Sequence, residues 1–343
     1  MIIDIDGKVI SKRYPPFLIA ETGLNHNGKI DLVYRMIAVA KAAGVDAIKF
    51  QTYKTDEFCN RDSELYEIFK ECELRQDDWE SIKKMCDDLK ITFLSTPQNY
   101  SDLEILLKLG MKAIKIGADD LNNIPLIRQY AQSRLPIILS CGMAYGVEIE
   151  GAINTINRDY QNYPIILLHC TSLYPAEARD VSIKKLGTIA RSYPNCITGY
   201  SDHTVGNTAA VMAVALGAKV FETHFTLDNE MLGPDHKFSK NPNDLKDWVK
   251  AIRQAHMMLG QPELKPTEKE HEMRRMARRS LTALEDIEKD EIFTKQNVGL
   301  RRPGTGIPPA SLSIYIGATA SRKIHAGEQL QRDDIIHSRE KEE

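Results

Sequence analysis

With 343 residues, 42% of them hydrophobic and 27% charged, the chain has room for one large domain and a small one and the balance of an ordinary globular protein. A formal net charge of −3 excludes a basic footprint for nucleic acid or an anionic membrane, so an anionic ligand must be met by a local cluster of cations. The N-terminal MIIDIDGKVISKRYPP lacks the apolar core of a signal peptide, and no apolar run approaches the roughly 20 residues that cross a bilayer. The cysteines (Cys59, Cys72, Cys86, Cys141, Cys170 and Cys196) show neither CxxC pairing nor metal-type spacing. The expectation is a cytoplasmic chain with reduced thiols, and with neither nucleic acid nor membrane as a partner.

From Phe17 to about Phe225, short runs rich in Ile, Val, Leu and Phe alternate with longer segments of helical period. The strand candidates are FLIAE (17–21), DAIKFQ (46–51), ITFLST (91–96), KAIKIG (112–117), PIILSC (136–141), IILLHC (165–170), CITGYSD (196–202) and AKVFETHF (218–225). Between them lie stretches such as DLVYRMIAVAKAAG and NTAAVMAVALG, several closing on a glycine that suits a helix C-cap. Strands apolar on both faces imply a parallel sheet covered by helices, and their count favours an α/β fold of the (β/α)8 TIM-barrel type over residues 1–260. The segment QPELKPTEKEHEMRRMARRS is polar, charge-rich and broken by prolines, and reads as a linker over 261–280 with a solvated basic face. Residues 281–343 hold short apolar pieces separated by turns, as expected of a small β-rich domain.

In such a barrel the catalytic groups sit at the C-terminal ends of the strands. Those ends are unusually polar here: Glu21, Asn25 and His26; Lys49 with Gln51; Thr96; Lys115; Ser140; His169; Ser201, Asp202 and His203; and His224. Lys49 and Gln51 stand two apart and point the same way on a strand. Lys49 and Lys115 are candidates to neutralise a phosphate, with Thr96 and Ser201 adding hydroxyl donors. Two other readings of Lys49 stand beside this one: a snorkelling surface lysine and a Schiff-base lysine of an aldolase. His203 and His224 close adjacent strands and are candidates to share one divalent ion, although imidazole suits manganese, iron, cobalt and zinc alike.

The strings AETGLNHNG (20–28), KFQTY (49–53), FLSTP (93–97), KIG…NNIPLI (115–127), ILSCGM (138–143), HCTSLYP (169–175), GYSDHT (199–204), ETHF (222–225) and GPDHKFS (233–239) resemble those of the sialic acid synthases, which include bacterial synthases for neuraminic, legionaminic and pseudaminic acids. ARRSL, VGLRRPGTGI and RKIHAGEQLQRDDI resemble the small antifreeze-like (SAF) domain of that family. The resemblance implies a transferase that condenses phosphoenolpyruvate with an N-acyl amino-sugar aldehyde to give a nine-carbon 2-keto acid and phosphate. It implies that Lys49, Thr96, Lys115, Ser201 and Tyr174 contact phosphoenolpyruvate, and that His203 and His224 hold a divalent metal, manganese ahead of magnesium or cobalt. Gln51 and Asp235 match acceptor-binding positions, Ser172 stands at a substrate position where some members carry Asn, and Glu21 matches a proton-handling carboxylate. Arg302 matches an arginine that reaches the neighbouring subunit's site in a domain-swapped homodimer.

Where the family usually reads Gly-Ser-Gly followed by Glu or Asp, this chain reads Gly117-Ala118-Asp119-Asp120. The serine hydroxyl is thus lost at Ala118, Asp120 keeps a carboxylate at the acid/base position, and Asp119 is an unusual neighbour for an anion site. Two other readings remain at this point, a Schiff-base aldolase on the same barrel and a non-catalytic sugar-binding homologue.

Overall fold

A computed structural model describes residues 1–336, and the chain divides after Gly260 into two compact units. Residues 337–343 of the expected small domain lie outside the described residues.

The first unit opens with an antiparallel hairpin, β1 (Ile3–Ile5) and β2 (Lys8–Ile10), that was not among the expected elements. Its strands are too short to show a period. The signal is the Asp6-Gly7 pair, which takes φ of 58° and 77° and makes the tight left-handed turn that matches strand twist. Eight parallel strands follow: β3 (Phe17–Glu21), β4 (Ala47–Thr52), β5 (Thr92–Pro97), β6 (Ile114–Ile116), β7 (Ile137–Ser140), β8 (Ile165–Cys170), β9 (Ile197–Asp202) and β10 (Val220–His224). They close into a barrel, with β10 pairing back onto β3. All the expected strands are present, with modest differences at their ends.

Period-2 alternation sorts every strand into two faces. Outward residues such as Leu18, Ile48, Phe50 and Phe221 pack on the surrounding helices. Inward residues near the strand starts, among them Phe17, Ile19, Leu94, Ile138, Ile166 and Val220, form a separate apolar cluster that fills the lower barrel. Ile3, Ile5 and Ile10 of the hairpin belong to this same cluster, so the hairpin plugs the N-terminal end. A Cβ on Gly199 would collide with Leu168 and with the Val220 carbonyl, which explains the glycine at that crowded point.

The last helix of the unit, Pro242–Met258, starts at Asn241, whose side chain accepts the N–H groups of Asn243 and Asp244. Its buried Trp248 donates to Asp202 Oδ2 at 2.9 Å. Among the described residues no helix is long and apolar enough to cross a membrane, and the six cysteines are free.

In the second unit, part of the expected linker is a helix, Glu268–Ala277. It has no buried residue and hence no apolar stripe to read, but Thr267 and Glu270 form a capping box at its start. β11 (Ser280–Ala283) pairs with β12 (Val298–Arg301), and β13 (Thr319–Ala320) with β14 (Ile335–Ile336), all antiparallel. Leu281, Ile287, Phe293, Tyr315, Ile324 and Leu330 build a core of their own. Small sheets around one apolar centre are what the sequence texture implied.

Because Ile5 is fully buried in the barrel plug, Ile5→Ala is expected to cost about 2–5 kcal/mol in chemical denaturation. A loss below about 1 kcal/mol would show that the hairpin is not part of the barrel core.

Candidate active site

Toward their C-terminal ends the inward faces of the strands turn from apolar to polar. Glu21, Lys49, Gln51, Thr96, Lys115 and Ser140 come from β3 to β7, and Cys170, Ser201, Glu222 and His224 from β8 to β10. With Ser172, Tyr174 and His203 from the following loops they surround a cavity of about 350 Å³.

At its floor lie four buried charges. The register of β3 on β4 sets Glu21 opposite Lys49, and their side chains form a close ion pair. Glu222 reaches both lysines, standing 3.8 Å from Lys49 and 3.6 Å from Lys115. The β9–β10 register sets Ser201 opposite Glu222, and the serine hydroxyl donates to the carboxylate at 3.3 Å. Burial alone would strip the proton from Lys49, but the carboxylates of Glu21 and Glu222 outweigh it and hold the ammonium above its usual range. Glu222 moves the other way. Burial favours its neutral form, and the two lysines reverse that and hold the carboxyl well below the usual range. Lys49 also donates to Thr96 Oγ1 at 3.1 Å, and Glu21 accepts the Gly23 N–H at 2.8 Å.

Beside this set stand the two histidines, with ring centres 5.6 Å apart. His203 Nδ1 lies 2.8 Å from the Thr171 carbonyl, so that nitrogen donates and Nε2 is left with its lone pair, 3.4 Å from the Ser201 hydroxyl. Burial and the neighbouring His224 lower the His203 pKa to about 4, so its ring is neutral at physiological pH. His224 Nδ1 is buried without a hydrogen-bond partner. Imidazoles that share a cavity, one with its tautomer set by a carbonyl and the other with a nitrogen that makes no hydrogen bond and has only the Asp235 carboxylate near it, at 3.9 Å, fit a divalent ion. Among the described residues no group of three or more His, Cys, Asp or Glu is placed to hold one. The fit therefore involves two protein nitrogens only.

A second cavity, of about 630 Å³, shares Gln51, Phe69, Tyr174 and His224 with the first. Leu24, Leu65, Ile68, Pro234 and Phe238 make much of its wall, and Asp235 and Lys237 supply charge. Asp235 is fixed by the Leu24 N–H, which donates to its Oδ2 at 2.9 Å. The Tyr174 ring packs 4.3 Å from His203 and 5.0 Å from Phe238, joining the two spaces.

The structure thus gathers Glu21, Lys49, Gln51, Thr96, Lys115, Ser172, Tyr174, Ser201, His203 and His224 on one cavity and Asp235 on its neighbour. At 3% exposure Lys49 is no snorkelling surface residue. Asp120 departs from expectation: its carboxylate accepts from Asn123 Nδ2 at 2.9 Å and is not part of the cavity wall. Asp119 lines the cavity instead, folding back so that a Cβ on Gly117 would collide with its Oδ1. The cause is local, since Asn123 caps the helix Ile124–Ala131 and holds Asp120 in that turn. Arg302 belongs to the second unit and follows β12.

Four polar residues near the strand ends have structural partners. Asp202 accepts from Trp248 and Thr204, His169 bonds the Val181 carbonyl, Asn25 donates to the Phe225 carbonyl and Ser239, and His26 accepts the Gly28 N–H. Glu222, by contrast, was not singled out in the sequence. The signal was there, because alternation along ETHF puts Glu222 on the same face as His224.

An eight-stranded parallel barrel with buried lysines, carboxylates and paired imidazoles at its C-terminal mouth is an enzyme scaffold suited to a small anionic substrate. The chain belongs to the NeuB family, whose model matches residues 36–264, and an SAF domain matches residues 278–336. It is 41% identical to an uncharacterized protein of Methanocaldococcus jannaschii, over 98% of this chain and 97% of that protein. It is 38% identical to the N,N'-diacetyllegionaminic acid synthase of Legionella pneumophila, over 93% of this chain and 94% of that protein. Among solved structures, the N-acetylneuraminic acid (sialic acid) synthetase of Leptospira borgpetersenii, in complex with citrate, superimposes with a TM-score of 0.75 at 34% identity, covering 80% of this chain and 95% of that one.

Replacing Glu222 with Ala would leave two buried ammonium groups with a single carboxylate between them. Glu222→Ala is expected to destabilise the first unit by about 3–5 kcal/mol at neutral pH. A change under about 1 kcal/mol in a denaturation curve would contradict the pairing described above.

Proposed function

We propose that the chain condenses phosphoenolpyruvate with an N-acyl amino-sugar aldehyde, N-acetylmannosamine or a 2,4-diacetamido-6-deoxy hexose, and releases a nine-carbon 2-keto acid and phosphate. The observation that carries this reading is the pair of buried lysines, Lys49 and Lys115, sharing Glu222 on a cavity that also holds His203 and His224. Family membership and the named synthases among its relatives support it.

In this reading Lys49 and Lys115 hold the anionic groups of phosphoenolpyruvate, and Thr96, Ser172 and Ser201 add hydroxyl donors. Tyr174 packs at the junction of the two cavities, where the substrates meet. The acceptor occupies the second cavity, with Gln51 and Asp235 on its polar groups and the Phe238 and Ile68 side against its apolar ones. C3 of phosphoenolpyruvate attacks the aldehyde carbon, and water adds at C2. In this reading Glu21 takes the proton of that water, a role supported by its fixed position between the Gly23 N–H and Lys49. Collapse of the tetrahedral species breaks the C2–O bond and expels phosphate. A divalent metal, manganese ahead of magnesium or cobalt, would be held by His203 and His224 and would polarise the aldehyde oxygen as a Lewis acid.

The Schiff-base alternative requires a lysine that readily gives up its proton. Lys49 is paired with two carboxylates that keep its proton on, which argues against that chemistry. A homodimer in which Arg302 completes the partner's acceptor site is also part of this proposal, and rests on the resemblance of the RRPGTG segment.

Phosphate release is expected only when phosphoenolpyruvate, a divalent metal and a matching amino sugar are all present, and a panel of amino sugars will identify the acceptor. With ¹⁸O in the bridging position of phosphoenolpyruvate, the label should appear in phosphate. His203→Ala and His224→Ala should each lower metal-dependent turnover by roughly a hundredfold or more while circular dichroism stays native. A borohydride-trapped pyruvate adduct, together with turnover indifferent to chelator, would replace this reading with an aldolase.

Arg302→Ala is expected to raise KM for the amino sugar by more than KM for phosphoenolpyruvate. An effect confined to phosphoenolpyruvate would remove Arg302 from the acceptor site.

A further inference from the structure

The charges around the first cavity do not balance. Lys49 and Lys115 are its cations, and Glu21 and Glu222 are paired with them at the floor. Asp119 is a third carboxylate on the same wall. Asp119 is exposed at the cavity rim, its side chain folds back over Gly117, and among the described residues it makes neither an ion pair nor a side-chain hydrogen bond. Asp120 and Asp235, its nearest counterparts in kind, are engaged by Asn123 and by the Leu24 N–H. The Asp119 charge is felt inside the cavity, since it adds to the field that holds the proton on Lys49.

Leaving the imidazoles aside, two cations therefore face three carboxylates in a space meant for an anion. An anionic substrate entering alone meets net repulsion, and a divalent cation entering first meets net attraction. We propose that Asp119 sets the loading order of the cavity, its unpaired carboxylate opposing entry of the anionic substrate until a divalent cation has bound. The inference rests on the phosphoenolpyruvate reading given above and deepens it. Asp119 is on this view a positioning group for charge and touches no reacting atom. Its effect has a signature that a structural role lacks: removing the charge must shift the two affinities in opposite directions.

The test uses the full-length protein, freed of metal, with Asp119→Asn against wild type. Isothermal titration with phosphoenolpyruvate should show the variant binding roughly three- to tenfold tighter, and titration with manganese ion should show it binding roughly three- to tenfold weaker. Asp159→Asn, which removes a carboxylate that is paired with Arg128 and lines neither cavity, should shift neither constant. Loss of both affinities in Asp119→Asn would mark a structural residue and overturn the proposal, as would no change in either or opposite shifts in Asp159→Asn. A wild-type protein that binds no phosphoenolpyruvate with or without manganese, and releases no phosphate from it, refutes the parent reading. The charge inference falls separately when wild type binds phosphoenolpyruvate and the variant behaves identically.

Discussion

The buried ion-pair set of Glu21, Lys49, Lys115 and Glu222 is the constraint on which the first unit depends. Four charges buried singly would each cost several kcal/mol, and they are tolerable because every one has an opposite charge in reach. The set cannot be assembled from one segment of chain. It needs β10, β3 and β4 side by side, and β6 one strand beyond β5, in a single closed sheet, with the pairing that brings Glu21 level with Lys49. Barrel closure and site formation are thus one event. The same pairing holds the proton on Lys49 and fixes both lysines in place before any substrate arrives, which is the preorganisation that electrostatic catalysis requires.

Along each strand the inward face divides the labour. Val220, Glu222 and His224 on β10 run from plug to charge to imidazole in steps of two residues. Phe17, Ile19 and Glu21 on β3 run from plug to charge in the same steps. The apolar lower layers, closed off by the hairpin isoleucines, supply stability that the polar upper layer cannot. Leu24, Tyr53 and Cys72 form a further small apolar cluster beside the mouth. It backs the loop after β3 and the helical segment that carries Ile68 and Phe69, which are walls of the second cavity.

Much of this was legible in the sequence, because a fully buried parallel strand is apolar on both faces and a polar residue at its end stands out. Lys49, Lys115, His203 and His224 were visible for that reason. Glu222 was overshadowed by its neighbour in ETHF, although alternation would have placed it. The hairpin escaped because three-residue strands carry no period, and helix Glu268–Ala277 because it buries nothing and so shows no stripe. Asp119 and Asp120 mark a different limit. Adjacent carboxylates just past a strand end differ only in the turn that follows, and the turn depends on Asn123 capping the next helix. No single-residue pattern encodes which of the two faces the cavity.

The two-histidine arrangement bears on how substrate and metal depend on each other. Protein sites that hold a divalent ion firmly supply three or four ligands, and among the described residues two imidazoles would be in place for one, with Tyr174 and Phe238 filling the space beside them. An ion held by two imidazoles would be bound weakly unless its remaining positions were taken by water or by an oxygen of the substrate. The charge around it would then matter more than the ligands themselves. That charge is supplied by Glu222, which is spoken for by two lysines, and by Asp119, which is not. A carboxylate with no cation of its own, on a cavity whose cations are already matched, is a group whose electrostatic balance would improve with a divalent ion beside it.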